Sequence, residues 1–205
     1  MKINRSAAAA LLAAAEKTNP GAWIAHSHNT ARAAEIIAAQ LPDFDPERAF
    51  VFGLLHDIGR AVGVTDNRHI LDGYHRLMAL GDPAAARICL THSFPIKDAR
   101  YSVGEWDGTP AEFDFIQSCL GQIEYDGYDH LIQLCDAITL AAGFCLLETR
   151  LVDVSLRRGV NEFTLPRWRA QFALLEQFNH ALGRPVYDLL PGVIETTFQC
   201  SPSLK

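Results

Sequence analysis

Strand-forming runs are nearly missing from this chain. No stretch alternates Val, Ile or Thr with polar residues over the length of a strand, which excludes a sheet-built architecture. Basic charge is also short: 18 Lys and Arg stand against 24 Asp and Glu, for a formal net charge of -6 and a pI near 5.7. Long nucleic acid is therefore an unsuitable partner, because binding it depends on neutralising phosphates. No segment approaches the roughly 20 apolar residues needed to cross a bilayer, so no membrane association is expected. Five cysteines, Cys89, Cys119, Cys135, Cys145 and Cys200, form an odd set without a CxxC pair. They read as reduced core filler in a cytoplasmic protein, and exclude a disulfide framework.

What the chain has in quantity is helix-period sequence rich in Ala, Leu, Glu and Arg. With 205 residues and 49% hydrophobic content, it predicts one all-α domain over residues 1–205. The Ala-rich start up to Ala15 ends in Glu16-Lys17 and reads as an ordinary first helix. Breakers at Asn19-Pro20-Gly21 and Leu41-Pro42-Asp43 delimit the second helix, and a third runs from Pro46 to about Gly59. Further helices are expected over 69–80, 83–93, 111–120, 127–148, 149–158 and 166–182, with a short one after Pro185. The irregular stretch from Phe94 to Thr109 is long enough to suggest a functional or mobile loop.

The chemistry starts at His56-Asp57, which closes the apolar run from Ala49 to Leu55 and leads into Ile58-Gly59-Arg60. An imidazole and a carboxylate in such a segment call for a cation, and a divalent metal is the economical one. Helix periodicity then chooses among the other candidates. His26 continues the small, apolar row Thr30, Ala33, Ala34, Ile37, whereas His28 leads to Arg32 and Glu35 and reads as a surface residue. His92 extends the apolar row Ala85, Ile88, Cys89. A core histidine bonded to a backbone carbonyl is the plain alternative there. Asp136 sits in the row Ile132, Thr139, Leu140, Gly143, Leu147, where a carboxylate needs a strong partner. His69 and His75 remain equal on periodicity alone, while His130 and His180 read as ordinary surface or capping residues.

Taken in order, His26, His56-Asp57 and Asp136 resemble the H…HD…D signature of the HD-domain metal-dependent phosphohydrolase superfamily, with HDIGR similar to its HDIG variant. Trp23-x-x-His26-Ser27 followed by Thr30-Ala31 is similar to the family's opening helix. His69-x-x-x-Gly73-Tyr74 and Leu90-Thr91-His92-Ser93 resemble the additional histidine positions of two-metal subfamilies, which favours His69 over His75. The resemblance covers about residues 22–150, leaving the helices of 151–205 to pack on that core.

The resemblance implies a helical bundle in which His26, His56, Asp57 and Asp136 bind one divalent transition metal, among Fe, Mn, Co, Ni and Zn. Asp57 would bridge to a second ion held by His69 and His92, and would be the catalytic carboxylate. The expected activity is hydrolysis of a phosphoester or phosphoanhydride of a small phosphorylated substrate, such as a nucleotide. The Gly-Tyr-Pro extension of cyclic-dinucleotide phosphodiesterases is lacking. A di-iron oxygenase would use the same six residues, and a non-catalytic ligand-sensing module is the alternative from another class. Lys97, and next Arg60 and Arg100, are the expected contacts to substrate phosphate. Phe163, Trp168, Phe172 and Phe178 point to C-terminal core packing, with a homodimer face as the alternative use.

Overall fold

Side-chain caps start five of the α-helices. The computed structural model describes residues 2–199, so Cys200 lies outside it. Asn4 Oδ1 accepts from Ala7 N to open α1 (Arg5–Thr18), whose Ala8, Leu12 and Ala15 are buried. After the break at Asn19-Pro20-Gly21 comes α2 (Ala22–Ala38). Asp45 caps α3 (Pro46–Leu55) with proline in its first turn, and a 3-10 turn follows over Ile58–Val62. Next come α4 (His69–Ala79), α5 (Pro83–Thr91) capped by Asp82, and α6 (Pro110–Gln122). Capping boxes open α6 through Thr109 and Glu112, and α7 (Gly127–Ala137) through Asp126 and Asp129. The chain ends with α8 (Leu147–Arg158), α9 (Thr164–Leu182) and α10 (Val193–Gln199).

The fold is all-α, with one correction to the expected elements. The helix predicted over 127–148 stops at Ala137, and a two-residue ladder replaces its second half: β1 (Thr139–Leu140) pairs antiparallel with β2 (Gly143–Phe144). The cause is tertiary. Asn29 of α2 donates its Nδ2 to the carbonyls of Leu140 and Ala141, and Thr139 Oγ1 turns back onto Cys135 O. These bonds satisfy a tight turn that helix propensity alone would not choose. The third helix is likewise shorter than expected, yielding to the 3-10 turn before Gly59.

Helices α2, α3 and α7 form the centre, and their packing brings separate sequence segments together. Gly53 lets α3 lie directly on α2: a Cβ there would fall 2.6 Å from Ala31 Cα. The main core runs through Leu12, Ile37, Leu54, Ile58, Leu131 and Ile132, and is extended by Leu147, Leu151, Leu175, Phe178 and Val186 of the C-terminal part. A second cluster of Ile70, Leu71, Leu90, Phe94, Ile116 and Leu120 joins α4, α5 and α6. Asp82, buried at the start of α5, pins the chain start and α3 to it. Its Oδ2 accepts from Ile3 N and Arg48 Nη1, both at 2.8 Å, and its Oδ1 from Arg48 Nη2 at 2.5 Å and Ala85 N at 3.1 Å. Among the described residues no helix is long and apolar enough to cross a membrane. Among the described residues, Cys89, Cys119, Cys135 and Cys145 form no disulfide.

Candidate metal centre

The ends of four helices point at one place. His26 comes from α2, His56 caps the C-terminus of α3, His92 caps that of α5, and Asp136 stands one residue before the end of α7. Asp57 opens the 3-10 turn and His69 begins α4. Ligand atoms of His26, His56 and Asp57 lie within 4.8 Å of one another, as do those of His56, His92 and Asp136, and those of Asp57, His69 and His92. Three overlapping groups thus link all six side chains. The ring centroids of His56 are 5.3 Å from those of His26 and 5.0 Å from those of His92.

Backbone carbonyls fix the protons of three of these rings. His56 Nδ1 donates to Gly53 O at 2.7 Å, His69 Nδ1 to Asp66 O at 2.5 Å, and His92 Nδ1 to Cys89 O at 3.0 Å. A carbonyl only accepts, so each Nδ1 carries the hydrogen and each Nε2 a lone pair; that of His69 also receives Arg60 Nη2 at 3.3 Å, while that of His56 is left without a partner. For His26, Thr139 Oγ1 commits its hydrogen to Cys135 O and stands 3.3 Å from Nδ1. His26 Nε2 meets Asp136 Oδ1 at 2.8 Å, a hydrogen bond that a metal held between the two would replace.

The fit to a metal is carried by what is left unsatisfied. His56 Nε2 and Asp57 Oδ1 are buried without a hydrogen-bond partner. Asp57 Oδ1 lies 3.0 Å from His69 Nε2 and 3.7 Å from His92 Nε2, and His56 Nε2 is 3.8 Å from Asp57 Oδ2 and 3.9 Å from Asp136 Oδ1. Two ligand atoms each about 2.1 Å from one ion are about 3.0–3.4 Å apart; the Asp57–His69 pair falls in that range and the other three lie within about half an ångström of it. Four imidazoles and two carboxylates form a mixed N and O donor set suited to divalent transition metals.

Protonation favours the same state. Burial pushes the pKa of His56 down, and brings that of His92 to about 3, so both rings are neutral at pH 7. For Asp57 burial acts upward, but the Arg60 guanidinium and the His69 and His56 rings outweigh it and hold the carboxyl well below its usual range. Asp136 is held low in the same way, burial being overcome first by the hydrogen bond from His26. Neutral imidazoles and ionised carboxylates are the forms that bind metal.

The segment Phe94 to Thr109 supports this centre from behind. Asp107 accepts from Asp66 N at 2.6 Å and Arg68 N at 2.7 Å, and Asn67 Nδ2 donates to Glu105 O at 2.9 Å. It thereby fixes the Asp66 carbonyl that orients His69. Lys97 and Arg100 are placed elsewhere than expected. Lys97 pairs with Glu124 at 3.4 Å over the Tyr125 ring, Arg100 is held by Asp98, and neither lines the cavity beside the centre. The reason is local: each cation meets a nearer carboxylate. Arg60 does line the cavity, with its Nε on Asp57 Oδ2 at 2.8 Å. His28 and His75 are exposed, the latter stacked on Phe115 at 6.1 Å.

A cavity of about 930 Å³ opens from the cluster and is walled by α8 and α9 as well as by Trp23 and Leu140. The C-terminal helices therefore do more than close the core. Arg150, Arg157, Arg158 and Arg167 all face this space; none is among the substrate contacts expected from sequence, and of the four only Arg167 is buried. Row-following would have found it, since Thr164, Arg167, Gln171, Leu174 and Phe178 share one side of α9, and all but the half-buried Gln171 are buried.

A family model described as the HD domain matches residues 23–140, more than half of the chain and a span holding all six converging residues. No curated protein and no solved structure matches.

Proposed function

The chain belongs to the HD domain family, whose members bind divalent metals and are mostly hydrolases, and on that premise we propose that it hydrolyses a phosphoester or phosphoanhydride of a small organic substrate. One observation carries this reading: buried acceptors without a partner, with the ring protons of His56, His69 and His92 directed outward, at the floor of a cavity large enough for a nucleotide-sized molecule. His26, His56, Asp57 and Asp136 would hold one ion, and Asp57, His69 and His92 a second. A divalent ion bound there lowers the pKa of a coordinated water toward neutrality and offsets charge on a phosphoryl oxygen.

The protein's own groups supply the rest. Asp57 is the catalytic carboxylate: Arg60 holds its Oδ2, and the buried, unpartnered Oδ1 is the oxygen it would give to the metal that activates water. Arg60, bonded to Asp57 on the cavity wall, is placed to offset charge developing on phosphoryl oxygens. The backbone carbonyls behind His56, His69 and His92 keep these rings from rotating as charge moves. Acidic net charge speaks for a small substrate over long nucleic acid.

The test is metal analysis of the purified protein with a panel of phosphomonoesters, phosphodiesters and nucleotides under Mn, Fe, Co, Ni and Zn. Turnover of at least one class with a metal present, lost on chelation, is the expected result. Failure on every class with all five metals overturns the reading. Bound iron with oxygen consumption would assign the same six residues to an oxygenase instead.

A further inference from the structure

Five guanidinium groups line the cavity, and four are already engaged. Arg60 donates to Asp57 at 2.8 Å, Arg150 and Arg157 to Asp153 at 3.3 and 2.8 Å, and Arg158 to Asp66 at 2.9 Å. The fifth is Arg167 of α9. It is 7% exposed, and among the described residues no hydrogen bond, ion pair or aromatic face takes up its guanidinium, whose Nε is buried and unpartnered. The carboxylates on the cavity wall do not serve it. Asp57, Asp66 and Asp153 hold other arginines, Asp136 holds His26, and Glu148 makes no ion pair.

An unpaired buried cation is among the least favourable placements in a folded chain. Burial pulls the pKa of Arg167 down, whereas at Arg60 the same burial is outweighed by Asp57 and the net shift is upward. One turn along, on the same face of α9, Gln171 lines the cavity with its Oε1 also buried and unpartnered. A guanidinium presents a planar fork that matches a carboxylate or phosphate in two parallel bonds. The pair therefore has the composition of an anion seat with a polar neighbour, separate from the His and Asp cluster and in the same hollow.

We propose that Arg167, with Gln171 beside it, receives a second anionic group of the substrate, so that the protein acts on small organic phosphates carrying two anionic groups. One phosphoryl group meets the His and Asp cluster, and a phosphate or carboxylate further along the molecule meets Arg167. The first half of this statement rests on the phosphohydrolase reading; the second rests on the unpaired guanidinium. Arg167 is a specificity residue here, contacting substrate away from the bond that breaks.

The experiment is calorimetric titration of the metal-loaded protein with phosphonates, whose C–P bonds resist hydrolysis. Alkane-α,ω-bisphosphonates and ω-phosphonocarboxylates of increasing length are compared with alkyl monophosphonates. At the best length, the doubly anionic probe should bind at least tenfold tighter than the monophosphonate, and Arg167→Met should reduce that preference to under twofold. Arg167→Lys, which keeps the charge and loses the fork, should fall between and serves if the methionine variant does not fold. Which probe series shows the preference tells phosphate from carboxylate. No preference at any length, or a preference retained in both variants, overturns the proposal. Hydrolysis of monoesters without such a preference would sink Arg167 alone. An Arg167-dependent preference in a protein that turns over no phosphoester would sink the phosphohydrolase reading and leave the anion seat standing.

Discussion

Asp82 and Asp57 are both buried carboxylates, 1% and 5% exposed, and their surroundings are opposite. Asp82 is saturated, with four donors from Arg48 and the backbone arranged around its two oxygens. Asp57 has Arg60 on one oxygen, while the other looks at the Nε2 atoms of His69 and His92, which have already spent their protons on backbone carbonyls. A buried acid encircled by donors is a fastener between elements, here joining the chain start, α3 and α5. One encircled by other acceptors is unfinished until a cation arrives, and that contrast separates scaffold from site more sharply than burial does.

The contrast is sharpened most by Asp57→Asn. The expected outcome is a loss of turnover of about a thousandfold or more, equal to about 4 kcal/mol in the barrier, with depleted metal content by elemental analysis. Full activity in this variant would break the comparison. Asp82→Ala should act in the other currency. It leaves Arg48 without its partner in the interior, and denaturant unfolding should show a loss of about 3–5 kcal/mol with per-molecule activity of the folded fraction retained. Chelation comes next. If free metal stands at about 100 times its dissociation constant, its removal should lower stability by about 2.7 kcal/mol, read as a fall in melting temperature that Asp82→Asn preserves and Asp57→Asn abolishes.

The smallest effect is in acid. Burial works against ionisation of Asp82, but Arg48 and the backbone N–H groups of Ile3 and Ala85 hold its pKa below the ordinary carboxylate value. As pH falls, the unfolded chain takes up that proton first. The stabilisation is complete above the unfolded pKa and is lost as pH drops through the lower, folded one. Unfolding free energy measured in that window should slope by up to about 1.4 kcal/mol per pH unit from this group, and the slope should flatten in Asp82→Asn.

The helical class and most helix starts were legible because their causes are local: Asp45-Pro46, Asp82-Pro83 and Thr109-Pro110 are caps written in adjacent residues. The choice of His26 over His28 was legible for a similar reason, since one face of α2 is small and apolar and the other charged. His69 and His75 could not be separated by periodicity, because what distinguishes them is the 3-10 turn packed on α4, a contact between segments. Asp136 was singled out along a row reaching Leu147, yet the helix ends at Ala137, so only the first half of that row exists. The turn that ends it depends on Asn29, more than a hundred residues earlier, and no local pattern reports such a bond. Lys97 and Arg100 were chosen by nearness in sequence to His92, which says nothing about the nearer carboxylates that claim them.

Gly59 of the HDIGR segment sits where a methyl group would fall on the carbonyl oxygen of His69 and within 2.5 Å of Gly73 N. Main chain rests on main chain there, with no side chain between the turn carrying Asp57 and the helix carrying His69. Such a joint has no slack, so the two halves of the centre are indexed to each other like teeth of a gear. A chain that acquired any larger residue at this position would shed His69 from the ring of donors before it lost His26, His56 or Asp136. The second of the two proposed ion sites would then be lost through one inherited change, and the first kept.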